Sequence, residues 1–184
     1  MGNPGGEYDR TRHNLGAETV ALLAGRHGSR LRKAKERALT AEVNVEGRRL
    51  ALAWPQTYVN DSGLAVRPLV RRHVDGDATR LVVVHDELDL PVGRVRVKVG
   101  GGTAGHNGLK SIEAHLHTRD FLRVRIGIGK PPGRREGTDH VLRRPSKTDR
   151  EALDVAVEVA ADAVERILAD GAEAAMRIVN ARHD

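Results

Sequence analysis

His13 stands in "RTRHNLG" just ahead of a stretch that reads as a helix, and the partial positive charge of a helix start opposes an imidazolium. A histidine so placed tends to stay neutral and able to accept a proton. Asp86 stands in "VVVHDELDLP", where a buried-type strand runs into His85, Asp86, Glu87 and Asp89 before Pro91 stops it. That acid cluster reads in three ways: a divalent-metal site, a strand-end cap, or a carboxylate that orients another side chain. Asn3, Asn60 and Asn107, like His13 and Asp86, fall in loops, most of them where a strand ends and a helix is about to start. In an open α/β sheet those loops gather over one edge, so five scattered residues can line one crevice. The chain has no cysteine and no serine in a nucleophile elbow, which leaves water activated by His13 as the simplest hydrolytic chemistry. Asp86 would then hold the imidazole tautomer. The asparagine amides would supply donors to a developing oxyanion, and partners for peptide groups, without adding charge.

The stretch "GGGTAGHNGLKS" offers a competing chemistry, because residues 100–105 match G-x-G-x-x-G after a strand, the dinucleotide fingerprint. Two details count against it. The preceding strand is cationic on one face instead of apolar on both, and Asp120, the acid about twenty residues on, precedes the following strand instead of ending it. The glycines still imply close backbone approach to a ligand, with His106 and Asn107 following at the mouth of a helix.

The elements that must carry these residues follow from pattern. Asn14 is placed to cap a helix running to about His27, with Gly28 as its stop. "TAEVNVEGRRLALAWP" reads as two strands around Glu46-Gly47, and Ser62 can cap a second helix through His73. "LVVV", residues 81–84, suits a strand buried on both faces, while "RVRVKV" and "LRVRIGIG" alternate strictly. Leu153, Val157, Ala160, Val164 and Ile167 recur at helical spacing on a long helix, with a break near Gly171 and a short helix after it. Strands interleaved with helices predict an α/β protein: one domain over residues 1–184, three-layered α/β/α, with a twisted mixed sheet flanked by helices.

The formal charge of +6 favours a polyanionic partner. On "RVRVKV", period 2 puts Arg94, Arg96 and Lys98 on one face, and Arg123 and Arg125 repeat the pattern later. Such cations read either as a charged sheet edge that resists aggregation or as a track for phosphates, and Arg134, Arg135, Arg143, Arg144 and Lys147 thicken the basic content of the same half. With aromatic content at 2%, base stacking cannot dominate, so structured RNA suits better than single strands. The first twenty residues hold neither a signal-type apolar core nor a membrane-spanning run, and a cytoplasmic address is expected.

"GNPGGEYDRTRHNLG", "PQTYVNDSG", "HDELDLP", "GGGTAGHNGLKS" and "FLRVRIGIGKP", in this order and spacing over about residues 2–145, resemble the motif series of bacterial peptidyl-tRNA hydrolases. The resemblance implies a monomeric α/β hydrolase that cleaves the ester joining a peptide to the 3′ end of tRNA, recycling tRNA from aborted translation, with no cofactor, metal or membrane. By motif position it implies His13 as catalytic base and Asp86 as its partner. Asn3, Asn60 and Asn107, with Tyr8 and Tyr58, are implied as substrate-binding groups, and Arg96, Lys98 and Arg125 as tRNA contacts. A catalytically inactive RNA-binding paralogue on the same fold is the alternative.

Against the family pattern, Val59 replaces a Met, Ala104 replaces a glycine and Trp54 replaces a common Lys; the first two are expected to line the cleft. The family's central first strand, an apolar run ending in Gly-Leu-Gly-Asn-Pro-Gly, has no counterpart before Gly2. The expectation is that Met1 occupies the family's Leu as a misassigned start, that about five to eight apolar β-branched residues are encoded in frame upstream, and that a chain carrying them is more stable and more active.

Overall fold

The computed structural model describes residues 1–133 and 137–182. Arg134 and Arg135, counted among the basic residues above, lie outside the described residues. The elements run α1 (Leu15–Arg26), β1 (Arg32–Ala34), β2 (Ala38–Val45), β3 (Arg48–Pro55), α2 (Ser62–Val74), β4 (Val82–Glu87), β5 (Val95–Val99), α3 (Asn107–Leu116), β6 (Leu122–Gly127), α4 (Gly137–Val141), α5 (Lys147–Asp170) and α6 (Ala172–Ala181). Glu46 and Gly47 both have positive φ, 50° and 82°, which is the two-residue turn that matches the twist of the flanking strands and pairs Val45 with Arg48.

The expected single sheet is two three-stranded sheets, in the orders β1-β2-β3 and β4-β6-β5. The first is antiparallel throughout; in the second β4 runs parallel to β6, and β5 antiparallel to it. β3 and β4 share no ladder, but α1 packs against both and so holds the two sheets in one body. Alternate residues of β4 show the layering. Val84 joins a core with Leu15 of α1, Leu153 of α5 and Val124 of β6, while Val83 joins Val66 and Val70 of α2 and Leu109 and Ile112 of α3. Helices therefore cover both faces of β4, as its continuous apolar run requires.

Several local expectations change. Asn14 precedes α1 without capping it, because its side chain turns to the backbone of Asn3. Ser62 is the first residue of α2, not its cap, and its hydroxyl donates to the Val59 carbonyl. Val95 and Val97 are buried, yet Val99 at the strand end is 55% exposed. Arg123, read as part of a charged face, is 1% exposed: its guanidinium donates to the carbonyls of Gly101 and Gly102 at 2.8 and 2.6 Å and lies 4.7 Å from the Phe121 ring. It holds the glycine loop in place. The outer edge of β5 is covered by α6, where Asn180 accepts from the Val97 N–H at 2.8 Å and donates to the Val97 carbonyl at 3.0 Å.

Candidate active site

His13 lies in the 3-10 turn Arg12–Asn14 that leads into α1, and Asp86 lies near the end of β4. The imidazole Nδ1 sits 3.0 and 2.9 Å from the two Asp86 carboxylate oxygens. An ionised carboxylate only accepts, so Nδ1 carries a proton, and in the neutral ring Nε2 is the nitrogen with the lone pair. Asp86 is ionised: burial pushes its carboxyl up, but electrostatic attraction to His13 and His106 and the hydrogen bonds they donate outweigh that and hold it well below the usual carboxylate range.

His106 is the residue that the sequence reading placed at a helix mouth without giving it a role. Its Nδ1 accepts from the N–H groups of Gly108 and Leu109 at the start of α3, which fixes the proton on Nε2. Nε2 then donates to Asp86 Oδ1 at 3.0 Å. The carboxylate is thus gripped from two sides. Beneath it, His85 donates from Nδ1 to the Asp86 carbonyl at 2.7 Å, and burial first, then the nearby His106, hold its pKa well below the ordinary value, so it is neutral.

Asn3 is oriented by three hydrogen bonds. Asn14 Oδ1 accepts from its N–H and Asn14 Nδ2 donates to its carbonyl, while Asn3 Oδ1 accepts from the Val59 N–H at 2.8 Å. With Oδ1 engaged, Nδ2 is the group left for a ligand. Trp54 gains a role here: its Nε1 donates to the Gly2 carbonyl at 3.0 Å, steadying the turn that presents Asn3. Asn3, Tyr8, His13, Tyr58, Asn60, Asp86, His106 and Asn107 line one cavity of about 350 Å³, together with the apolar Leu88, Val141 and Leu142. Tyr8 and Tyr58 meet edge to face at 6.2 Å at its rim. Ala104 lines the same cavity, as expected, with φ of +47°; Val59 does not, since its side chain packs with Met1 and Leu109 behind it.

Among the described residues His13, Asp86 and His106 are the group whose donor atoms, all within 4.8 Å, could close around a metal ion. Here they satisfy one another by hydrogen bonds. The acid cluster itself does not assemble: Glu87 pairs with Arg125 and accepts from the Asp89 N–H, and Asp89 lies 3.5 Å from Lys130.

The peptidyl-tRNA hydrolase family model matches residues 1–184. The chain belongs to the peptidyl-tRNA hydrolase family. It is 49% identical to the peptidyl-tRNA hydrolase of Rhodococcus erythropolis, over 95% of this chain and 92% of that one, and 51% identical to that of Frankia casuarinae, over 95% and 88%. Its fold matches the crystal structure of peptidyl-tRNA hydrolase from Acinetobacter baumannii with a TM-score of 0.92 at 36% identity, over 98% of this chain and 91% of that one.

Of the cations that family resemblance assigns to tRNA, two lie beside the cavity. Lys98 and Arg125 line a second hollow of about 210 Å³ that shares Glu87 and Ala104 with the first. Arg96 stands directly across the ladder from Arg125, and Lys98 from Arg123. Like charges in these positions repel unless an anion relieves them, and Glu87 does so for Arg125 at 3.2 Å. Among the described residues no helix is long and apolar enough to cross a membrane.

Sequence reasoning missed His106, Asn14 and Arg12. The first had a readable signal, a histidine at a helix mouth. Arg12, which donates to the carbonyls of His140, Arg143 and Arg144 from under the site, had none.

Proposed function

We propose that this chain hydrolyses the ester between a peptide and the 3′ end of tRNA, with water activated by His13. The observation that carries the reading is the buried His13–Asp86 contact, which leaves Nε2 as a base at a cavity walled by three asparagines. Water held by Nε2 attacks the ester carbonyl and its proton passes to the imidazole. The carbonyl π electrons move to oxygen, and amide donors such as Asn3 Nδ2 stabilise that oxyanion. Collapse expels the ribose oxygen, which takes the proton from the imidazolium. Asp86 stays ionised throughout and stabilises the charged ring.

Tyr8 and Tyr58 support binding of the peptide end, and Asn60 and Asn107, both exposed at the cavity, support contacts to its amide groups. Lys98, Arg96 and Arg125 support contact with tRNA phosphates. A core shared by both sheets supports a single domain, and a cytoplasmic monomer fits a substrate that is itself a tRNA. Asp86→Asn tests the mechanism. An amide at this position donates to Nδ1, moves the ring proton to Nε2 and removes the base, so kcat should fall by about 10²-fold or more while tRNA affinity is kept. Hydrolysis within a few-fold of the parent would overturn the assignment.

A further inference from the structure

Arg12 shares a 3-10 turn with His13, yet it is only 8% exposed, where an arginine ordinarily keeps its charge in water. Its Nη1 donates to the carbonyls of His140, Arg143 and Arg144 at 3.4, 3.2 and 3.4 Å, and its Nη2 lies 3.6 Å from a carboxylate oxygen of Asp149 in the first turn of α5. Carbonyls at the end of a helix have no partner within it, and the planar guanidinium, with five donors in a fixed fork, is the side chain able to take several at once. The backbone adds to the tie. The Arg12 N–H donates to the Arg143 carbonyl at 3.3 Å, and in the reverse direction Arg144 Nε donates to the Asp9 carbonyl at 3.0 Å. The turn that carries the base and the chain that leaves α4 are thus bound to each other across about 130 residues of sequence.

What is bound there is part of the cavity wall. Gly137, Thr138, Val141 and Leu142 line the same cavity as His13. The start of α4 rests on Leu88, where a Cβ on Gly137 would lie 3.0 Å from the Leu88 Cδ1, and the chain beyond its other end hangs on Arg12. Val141 is buried in the main core, whereas Leu142 keeps 40% of its surface exposed. An apolar side chain left open in a cavity of asparagines and histidines is stabilised when another apolar group covers it. Around the scissile ester the ribose, the phosphates and the peptide amides are all polar. The side chain of the esterified amino acid is the one neighbouring group that can be apolar.

We infer that Leu142 is a specificity-determining contact for that side chain and that Arg12 is the positioning residue that sets it against His13. The inference rests on the hydrolysis proposed above and adds a preference to it: esters of bulky apolar residues are cut faster than esters of glycine, because the covered side chain helps hold the carbonyl in line with the water on Nε2.

The test uses one tRNA body carrying either N-acetyl-leucine or N-acetyl-glycine at its 3′ end and reads the ratio of the two kcat/KM values. Leu142→Ala should lower the leucine-to-glycine ratio by about tenfold, the usual scale for apolar side-chain discrimination. Arg12→Lys keeps the charge but replaces the fork by a single ammonium, and should lower the ratio in the same direction. Arg144→Ala, an exposed change that removes the return bond to Asp9, should do so to a smaller extent. Arg12→Lys combined with Leu142→Ala should fall no more than about twofold below the lower single variant, because both act on one contact. A merely structural loss, or one acting through His13, lowers both esters alike and leaves the ratio unmoved. A ratio that holds in Leu142→Ala, a ratio that holds in both Arg12→Lys and Arg144→Ala, or fully additive losses in the double variant would overturn the inference. A parent chain that cuts neither ester would instead overturn the hydrolysis itself, and this inference with it.

Discussion

Asp86 accepts from two imidazoles at once, and the two do different work. His13 offers Nε2 to the cavity; His106 spends Nδ1 on the α3 backbone and Nε2 on Asp86, leaving it no base. His106 is thus a positioning residue, and it can be separated from its capping role. In His106→Asn, asparagine keeps an N-cap for α3 but is too short to reach Asp86, so stability should change by no more than about 1 kcal/mol. Losing one donor makes the Asp86 carboxylate a stronger partner for the imidazolium, so the acid limb of the kcat/KM profile should move to higher pH. An unmoved limb at an unchanged Tm would show that His106 serves only the helix. Ala104 belongs to the same scale: a side chain at φ +47° is held where a glycine would rest without strain, at the wall of the cavity.

The elements were legible wherever pattern is set by one local cause. Glu46-Gly47 fixes a turn by its own backbone preferences, and the run from Leu153 to Ile167 fixes a helix by its period. Misreadings occurred where a side chain had a distant alternative. Asn14 looked like a cap but serves Asn3, eleven residues away, and Arg123 looked like a surface cation but is buried against the glycine loop. Alternation along "LRVRIGIG" shows that Arg123 and Arg125 share a face; only tertiary packing decides that one is buried as a clamp and the other is paired with Glu87. The five residues placed together in one crevice do share a cavity, because strand ends and helix starts converge there. Asn180 had no readable signal, being one polar residue on a terminal helix. Asn180→Ala would leave the Val97 N–H and carbonyl without their partner at a sheet edge. A loss of about 1–2 kcal/mol in urea unfolding and faster exchange of the Val97 amide should follow. An unchanged exchange rate would show that α6 covers the edge without this contact.

At the scale of the molecule, a buried histidine couples stability to pH. Burial first, then the nearby His106, holds His85 well below its ordinary pKa, so below about pH 6.5 the unfolded chain binds a proton that the folded chain does not. That stability is present in full above this region and is lost on acidification through it, whereas Asp86 acts only in more acid solution. Urea midpoints at about pH 5 and pH 7.5 should therefore differ, with pH 7.5 the more stable; equal midpoints would contradict the neutral buried imidazole. In the proposed reading the cavity cuts the ester and the cationic strands hold the tRNA body. The direct test is His13→Ala, assayed for hydrolysis of purified peptidyl-tRNA and for affinity to deacylated tRNA. The expected result is hydrolysis lower by about a hundredfold or more with unchanged tRNA affinity. Hydrolysis near the parent level would contradict the central claim that His13 activates the water.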